Sequence, residues 1–396
     1  MADAPLLQWV AGEPSGDNHA ARVLAALNDR LPGVRHIGLG GRRMAAAGLD
    51  LAYDLAGDAV MGIFPVLKAA PRILRLLSEA EESLARNRPD ALVLVDYPGF
   101  NYRLAARAKR HGVPVVWYVA PQVWAWGAWR LKRTARLVDR LLCILPFEAE
   151  IFRRAGVDAR FVGHPVFDHL AGAERDPATR RRLAELRGDG PLIGLFPGSR
   201  GHVVDALAKD FLDACRRFRE RVPTARIAVA AAQERFAARI AAAFPEPGFA
   251  EIFPGRSVDV MEACDLALTT SGTTTLEIAA VGRPFVLAYR VSPVFYAVAR
   301  SLVNVGHVGL VNLVAGRGVV PEHVGFRSSA AAAADDLLRL WNDPSARAAQ
   351  LAGLAEVRAK LDVRGAYARA ADEIADFVLG RRGAPAATPA ATQNRK

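Results

Sequence analysis

A chain of 396 residues, 52% hydrophobic and 23% charged, is too apolar for general disorder and long for one core, so two domains of about 150 to 200 residues are expected. Its 52 lysines and arginines against 41 acidic residues give a net charge of +11, which favours nucleic acid, acidic lipid surfaces or phosphorylated substrates as partners. Arginine accumulated on solvated faces would give the same total.

The opening MADAPLLQWVAGEPSGD lacks the basic region, apolar core and cleavage site of an export signal. The longest stretch without Lys, Arg, Asp or Glu, His111 to Trp129, is interrupted by Pro114, Pro121 and Gly127, so a cytosolic protein with only peripheral membrane contact is expected. Leu6 to Val10 reads as a buried strand, Ala11 to Asp17 as a Gly-rich turn, and the Ala-rich run through Leu27 as a helix. This is a Rossmann-type opening, although Gly12 and Gly16 lack the G-x-G-x-x-G spacing of dinucleotide sites. A short strand over Arg35 to Ile37 leads to a second turn, Gly38 to Gly41.

Val60 to Leu77 sets apolar residues, Phe64 and Leu67 among them, beside Lys68, Arg72 and Arg75, with Pro65 and Pro71 dividing the stretch into short pieces. Its composition suits an anionic membrane surface or a lipid, and equally an amphipathic core helix. Ala91 to Val95 is a buried strand ending at Asp96. A carboxylate where a parallel strand ends lies where α/β folds bind ligands, so Asp96 is the candidate general base; a helix cap is the structural alternative. After a strand over Val113 to Val119, Trp124, Trp126 and Trp129 stand beside Arg130, Lys132 and Arg133. Amphipathic rings next to cations suit an interfacial or acyl-chain contact, with stacking on single-stranded nucleic acid as the rival.

Strands over Leu141 to Leu145 and Arg160 to Val162 close a first domain at about residue 170. The charged stretch 171–190 reads as a connection, and Leu192 to Phe196 begins a second α/β series in which Arg200 offers a forked cation to a phosphate. Strands follow at Ile227 to Ala231, Glu251 to Phe253 and Leu266 to Leu268. There Ser271-Gly272-Thr273 breaks the chain before a helix over Thr275 to Val281. Free N–H groups at that helix start, the dipole, and the hydroxyls of Ser271, Thr273 and Thr274 would suit a pyrophosphate, with Glu277 one turn in to accept from ribose hydroxyls. A capped helix of an ordinary α/β unit fits the same spacing. Asn312 and Gly316-Arg317-Gly318 either line a ligand site or close a loop; Asp335 to Leu361 and Gly365 to Leu379 read as helical, and 383–396 as a disordered tail. The second domain is expected over 191–350 and terminal helices over 351–382. Cys143, Cys215 and Cys264 lie far apart in apolar runs, without metal-ligand spacing, and read as buried free thiols.

Taken together, AGEPSGD, MGIFPVL, VDYPGFN, WYVAPQVWAW, PFE, FVGHP, PGSR, SGTTTLE, VNLVAGRGVVPE and GAYARAA, in this order from Ala11 to Ala371, resemble the lipid A disaccharide synthase family. The resemblance implies a GT-B-like α/β fold: two Rossmann-type parallel-sheet domains facing across a cleft, acceptor on the first and UDP-sugar on the second. It implies transfer from UDP-2,3-diacylglucosamine to 2,3-diacylglucosamine 1-phosphate, giving a β-1,6-linked disaccharide 1-phosphate and UDP. It matches Asp96 to the base; Arg200, Ser271, Gly272, Thr273, Glu277 and Asn312 to the donor site, which Thr274 joins by its hydroxyl; and Gly12, Glu13, Ser15, Gly16 and Asp17 to the acceptor-side turn. Met61, Phe64, Leu67, Trp124, Trp126, Trp129 and Arg130 are the candidates for membrane or acyl contact, at the inner face of the cytoplasmic membrane.

No cofactor, metal or nucleic acid is expected, no Asp-x-Asp triplet occurs, and the resemblance permits a homodimer. Pro65, Gly99, Val203, Val311 and Gly325 depart from the family pattern, which bears on acceptor specificity more than on fold or donor class. Two readings from other classes stay open at this point: an isomerase like the UDP-N-acetylglucosamine 2-epimerases, and a non-catalytic lipid-sugar binding protein.

Overall fold

A computed structural model describes residues 4–57, 63–123, 129–198, 201–231, 234–244, 246, 248–293, 296 and 306–383, with the side chains of 63–69 and 202–206 outside the description. The chain divides into two compact units. Among the described residues, the first is built from those up to Val123, from 129–163 and from Gly365 to Gly383, the second from those within His164–Arg364.

The first unit holds seven parallel strands: β1 (Leu6–Ala11), β2 (Arg35–Gly40), β3 (Leu49–Asp54), β4 (Ala91–Val95), β5 (Val115–Tyr118), β6 (Arg140–Cys143) and β7 (Ala159–Phe161). Their order is β3-β2-β1-β4-β5-β6-β7, the doubly wound arrangement in which helices cover both faces and central strands are apolar throughout. β4 shows why. Leu92 and Leu94 pack with Leu76, Leu77 and Leu84 of helix Ile63–Asn87 and with Phe100 and Leu104 of helix Pro98–Arg110. Ala91, Val93 and Val95 point the other way, into a core with Leu24 and Leu27 of helix Pro14–Arg30 and Ile374 and Val378 of helix Ala366–Gly383.

Two expectations are corrected here. Helix Ile63–Asn87 runs unbroken through Pro71 where division into short pieces was expected. Proline removes one intrahelical hydrogen bond, and the buried Leu76, Leu77, Ala80 and Leu84 hold the following turns against the sheet. The last helix, expected with the preceding one as a terminal group, packs instead in the first unit: Tyr367 bonds His19 at 2.9 Å, and Arg382 pairs with Asp90 at 2.7 Å.

The second unit holds β8 (Leu192–Phe196), β9 (Arg226–Ala231), β10 (Glu251–Pro254), β11 (Leu266–Thr269), β12 (Phe285–Arg290) and β13 (Glu322–Gly325), all parallel, in the order β10-β9-β8-β11-β12-β13. The stretch read as a connection, 171–190, is structured within this unit. Helix Pro177–Arg187 is capped by Asp176, whose carboxylate accepts from Ala178 N and Thr179 N. It buries only Leu183, which is why its apolar periodicity is faint, and Arg175 and Arg180 both pair with Glu262. The helical run ending at Leu361 is two helices, Ala330–Asn342 and Pro344–Leu361, parted where Asp343 caps the second. All three cysteines are free and buried. Among the described residues no helix is long and apolar enough to cross a membrane.

Candidate active site

β1 and β4 are neighbours with Ala11 opposite Val95, so the turn after β1 and Asp96 after β4 leave the sheet side by side. This is the point where strand order reverses, the usual ligand position in open α/β sheets. Asp96 and Tyr97 both adopt left-handed backbone, with φ of 46° and 48°. Aspartate tolerates that region; for tyrosine it costs of order 1 to 3 kcal/mol. The bend is held from outside: Asp96 N donates to Tyr118 O at 3.1 Å, and Asn101 Nδ2 donates to Asp96 O at 2.6 Å and Val95 O at 3.3 Å. Burial raises the Asp96 carboxyl to about 6, and the nearby Glu13 charge adds to the rise. A carboxylate with such a value is well matched to proton abstraction near neutral pH.

The acceptor-side residues divide into two groups. Gly12 and Glu13 lie beside Asp96: a Cβ on Gly12 would run into the Tyr97 ring. Glu13 precedes helix Pro14–Arg30 without capping it through its side chain. Ser15 is exposed. Gly16 packs over Ala11 and Val95, where an added Cβ would sit 3.7 and 3.8 Å from their side chains. Asp17 is buried, and its carboxylate accepts from Arg43 N at 3.2 Å and Met44 N at 3.0 Å, capping helix Arg42–Ala46.

The second unit repeats the arrangement. Thr269 at the end of β11 pairs with Phe196 at the end of β8, placing the turn at Ser271 beside Pro197. Gly272 has φ of 146°, and a Cβ there would meet nothing within 4 Å, so its backbone is open to close approach. Helix Thr274–Val281 follows, with no side-chain cap from Thr273. The hydroxyls of Ser271, Thr273 and Thr274 bond nothing among the described residues, whereas Thr275 Oγ1 donates to Gly272 O at 2.7 Å. Uncommitted hydroxyls at an uncapped helix start form a donor set for an anion. Burial raises Glu277 to about 7, with His169 Nε2 3.7 Å from its carboxylate. Arg200 lies outside the described residues.

Asn312 lies in the segment after β12. It is 1% exposed; its Nδ2 donates to Val320 O and Glu322 Oε1 and its Oδ1 accepts from Val319 N and Val320 N. Both donors and the acceptor close the loop in this structure, one of the two alternatives that the sequence left open.

Of the contact residues, Met61, Trp124 and Trp126 lie outside the described residues, as do the side chains of Phe64 and Leu67. Trp129 is 65% exposed, with the Arg130 guanidinium 5.3 Å from its ring centre. Sequence reading missed three positioning residues: Tyr97, Asn101 and His169. Asn101 had a signal, being the only amide close behind the candidate base; Tyr97 and His169 act through contacts that spacing does not show.

A model of the lipid-A-disaccharide synthetase family matches residues 7–371. The lipid-A-disaccharide synthase of Myxococcus xanthus (strain DK1622) is 41% identical over 379 residues, covering 96% of this chain and 99% of that protein. That of Anaeromyxobacter dehalogenans (strain 2CP-1) is 43% identical over 371 residues, covering 92% and 95%. Among solved structures, UDP-GlcNAc 2-epimerase from Neisseria meningitidis aligns with a TM-score of 0.61 at 11% identity over 95% of this chain and 100% of that one. The calicheamicin glycosyltransferase CalG4 aligns with a TM-score of 0.62 at 17% identity over 97% and 100%. These two likenesses show a shared fold and nothing about chemistry, so the epimerase reading gains nothing from them, while the sequence relatives are transferases. The chain belongs to the lipid-A-disaccharide synthase family.

Proposed function

We propose that Asp96 is the general base of a glycosyl transfer from UDP-2,3-diacylglucosamine to the 6-hydroxyl of 2,3-diacylglucosamine 1-phosphate. The observation that carries this is a buried carboxyl, raised to about 6, fixed on left-handed backbone at the end of β4. The hydroxyl proton passes to Asp96 as the oxygen attacks the anomeric carbon; the carbon–oxygen bond to UDP breaks on the opposite face, and configuration inverts. The products are the β-1,6-linked disaccharide 1-phosphate and UDP. The diphosphate is bound by the open turn at Ser271 to Thr273, the start of helix Thr274–Val281 and Arg200, which stabilise the charge it gains. Glu277 accepts from the ribose hydroxyls. This scheme draws on protein charges alone and uses no metal.

The protein works at the inner face of the cytoplasmic membrane. Exposed Trp129 beside Arg130 supports such contact, as does the basic and apolar composition of the first turns of helix Ile63–Asn87.

The test is UDP release from the donor with and without acceptor, with the disaccharide linkage read by NMR. Acceptor-dependent release yielding a β-1,6 disaccharide is expected. Acceptor-independent loss of the donor, or an epimerised donor, would overturn the proposal.

A further inference from the structure

Arg290 ends β12, and Asp210 lies on helix Gly201–Arg221, the helix that follows β8. The two side chains come within 3.6 Å of each other, the arginine 43% exposed and the aspartate 5%. A carboxylate that deep carries a desolvation cost that one loose ion pair does not offset. Asp210 Oδ2 has no hydrogen-bond partner, and no N–H of Arg290 has an acceptor at hydrogen-bond distance among the described residues. Other arginines of the second unit are tied more closely: Arg187 bonds Asp265, and Arg182 holds Glu251 with two nitrogens, at 2.6 to 2.9 Å. The backbone at Arg290 is fixed, because Arg290 pairs with Gly325 in the sheet and Val291 N donates to Gly325 O at 2.9 Å. Asp210 therefore tethers the guanidinium by charge and leaves its forked donors open.

Arg290 stands at the carboxyl edge of the sheet. The neighbouring strand, β11, pairs with β12 as far as Thr269 opposite Leu287 and then gives way to the turn at Ser271, whereas β12 runs on to Arg290. Adjacent strands lie about 4.8 Å apart, so the arginine rises one strand over from the open turn and the start of helix Thr274–Val281. The helix that carries Asp210 begins directly after Arg200. A guanidinium matches the paired oxygens of a phosphate in a way that an ammonium does not. We propose that Arg290 is a further cation of the donor site, held by Asp210 as a positioning residue so that it meets the diphosphate of the UDP-sugar. This inference rests on the assignment of the turn at Ser271 to Thr273 to that diphosphate. It accounts for an exposed fork over a buried carboxylate: Asp210 keeps the guanidinium at the strand end, and the diphosphate supplies the hydrogen-bond acceptors that Asp210 does not. Charge gained by UDP as it leaves is then met by a cation already in place.

The test measures binding of UDP by calorimetry and of uridine, which lacks the phosphates, by ligand-observed NMR. Arg290→Gln alone would leave Asp210 buried without a counter-ion, so the variants are Arg290→Lys, Asp210→Asn and the double variant Arg290→Gln/Asp210→Asn. UDP affinity is expected to fall about tenfold in the double variant and about threefold in Arg290→Lys, which keeps the charge and loses the fork. Asp210→Asn keeps the shape of the side chain and removes the charge that orders Arg290, so about a threefold loss for UDP is expected there too. Uridine affinity should match wild type in all three, which a merely structural role would not predict. Wild-type UDP affinity in the double variant, or equal losses for UDP and uridine, would overturn the proposal, and wild-type UDP affinity in Asp210→Asn would remove Asp210 from the positioning role. A wild type that binds UDP no more tightly than uridine would refute the diphosphate seat itself and the proposal with it. A wild type that prefers UDP, with variants that keep the preference, would refute Arg290 alone and leave that seat standing.

Discussion

A methyl group on Gly12 would lie 2.2 Å from Cδ1 of Tyr97, so the tyrosine ring occupies the space that any other residue at position 12 would need. Tyr97 is the neighbour of Asp96 and shares its left-handed backbone. The absence of a side chain at one turn therefore sets where the carboxylate of another can stand. Gly12→Ala is expected to push the ring away and shift Asp96, lowering turnover by about 10²-fold with UDP-sugar affinity unchanged. Steady-state kinetics with donor titration checks this; wild-type turnover in the variant would show that the contact does not position the base.

The raised value of Asp96 also makes a stability prediction. A carboxyl with a folded value of about 6 binds more protons folded than unfolded between its ordinary value near 4 and 6, so its contribution to stability falls as pH rises through that window. Asp96→Asn removes the buried charge. It is expected to raise the melting temperature at pH 7.5, and the gain should shrink toward pH 4, where the wild-type carboxyl is protonated in both states. Thermal melts across that range check it, and a variant less stable at pH 7.5 would mean that the carboxylate is held by partners stronger than its burial.

Glu277, raised to about 7 by burial, titrates where the diphosphate of a UDP-sugar does not. Its ionised form accepts hydrogen bonds from the ribose hydroxyls better than the protonated form. Donor affinity should therefore increase as pH rises from 6 to 8, and Glu277→Gln should weaken binding by about tenfold at pH 8 and flatten that dependence. Calorimetric titration at three pH values checks both.

Asn312 separates a loop-closing role from a ligand-binding one. Asn312→Ala leaves Val319 N, Val320 N and Val320 O without their side-chain partner, and each unsatisfied buried group costs about 1 to 3 kcal/mol. A lowered melting temperature is expected. Unchanged melting with weakened donor binding would restore Asn312 to the ligand.

The central strands and both strand-end sites were legible because ALVLV, LIGLF and LALT are short apolar runs ending in Asp96, Pro197 and the Ser271 turn. Parallel strands buried on both faces produce such runs. The edge strands β3 and β13 were not legible: LDLAYD and EHVG are partly exposed and carry no apolar run to mark them. Helix Ile63–Asn87 defeated the proline rule because tertiary packing of Leu76, Leu77 and Leu84 outweighs one lost hydrogen bond. Asp17 and Asn312 show the limit of reading roles from motifs. Both stand in ligand-like sequences, and only the distant partners Arg43, Met44 and Val320 show the structural bonds that their polar atoms also make.

The pH dependence of kcat/KM for the acceptor, measured for wild type at saturating donor with Asp96→Asn as control, tests the account most directly. An acidic limb with a midpoint near 6, a variant slowed by about 10² to 10⁴, and donor affinity unchanged are the predicted result. A wild-type profile flat between pH 5 and 8, or a variant that keeps its turnover, would contradict the role given to Asp96.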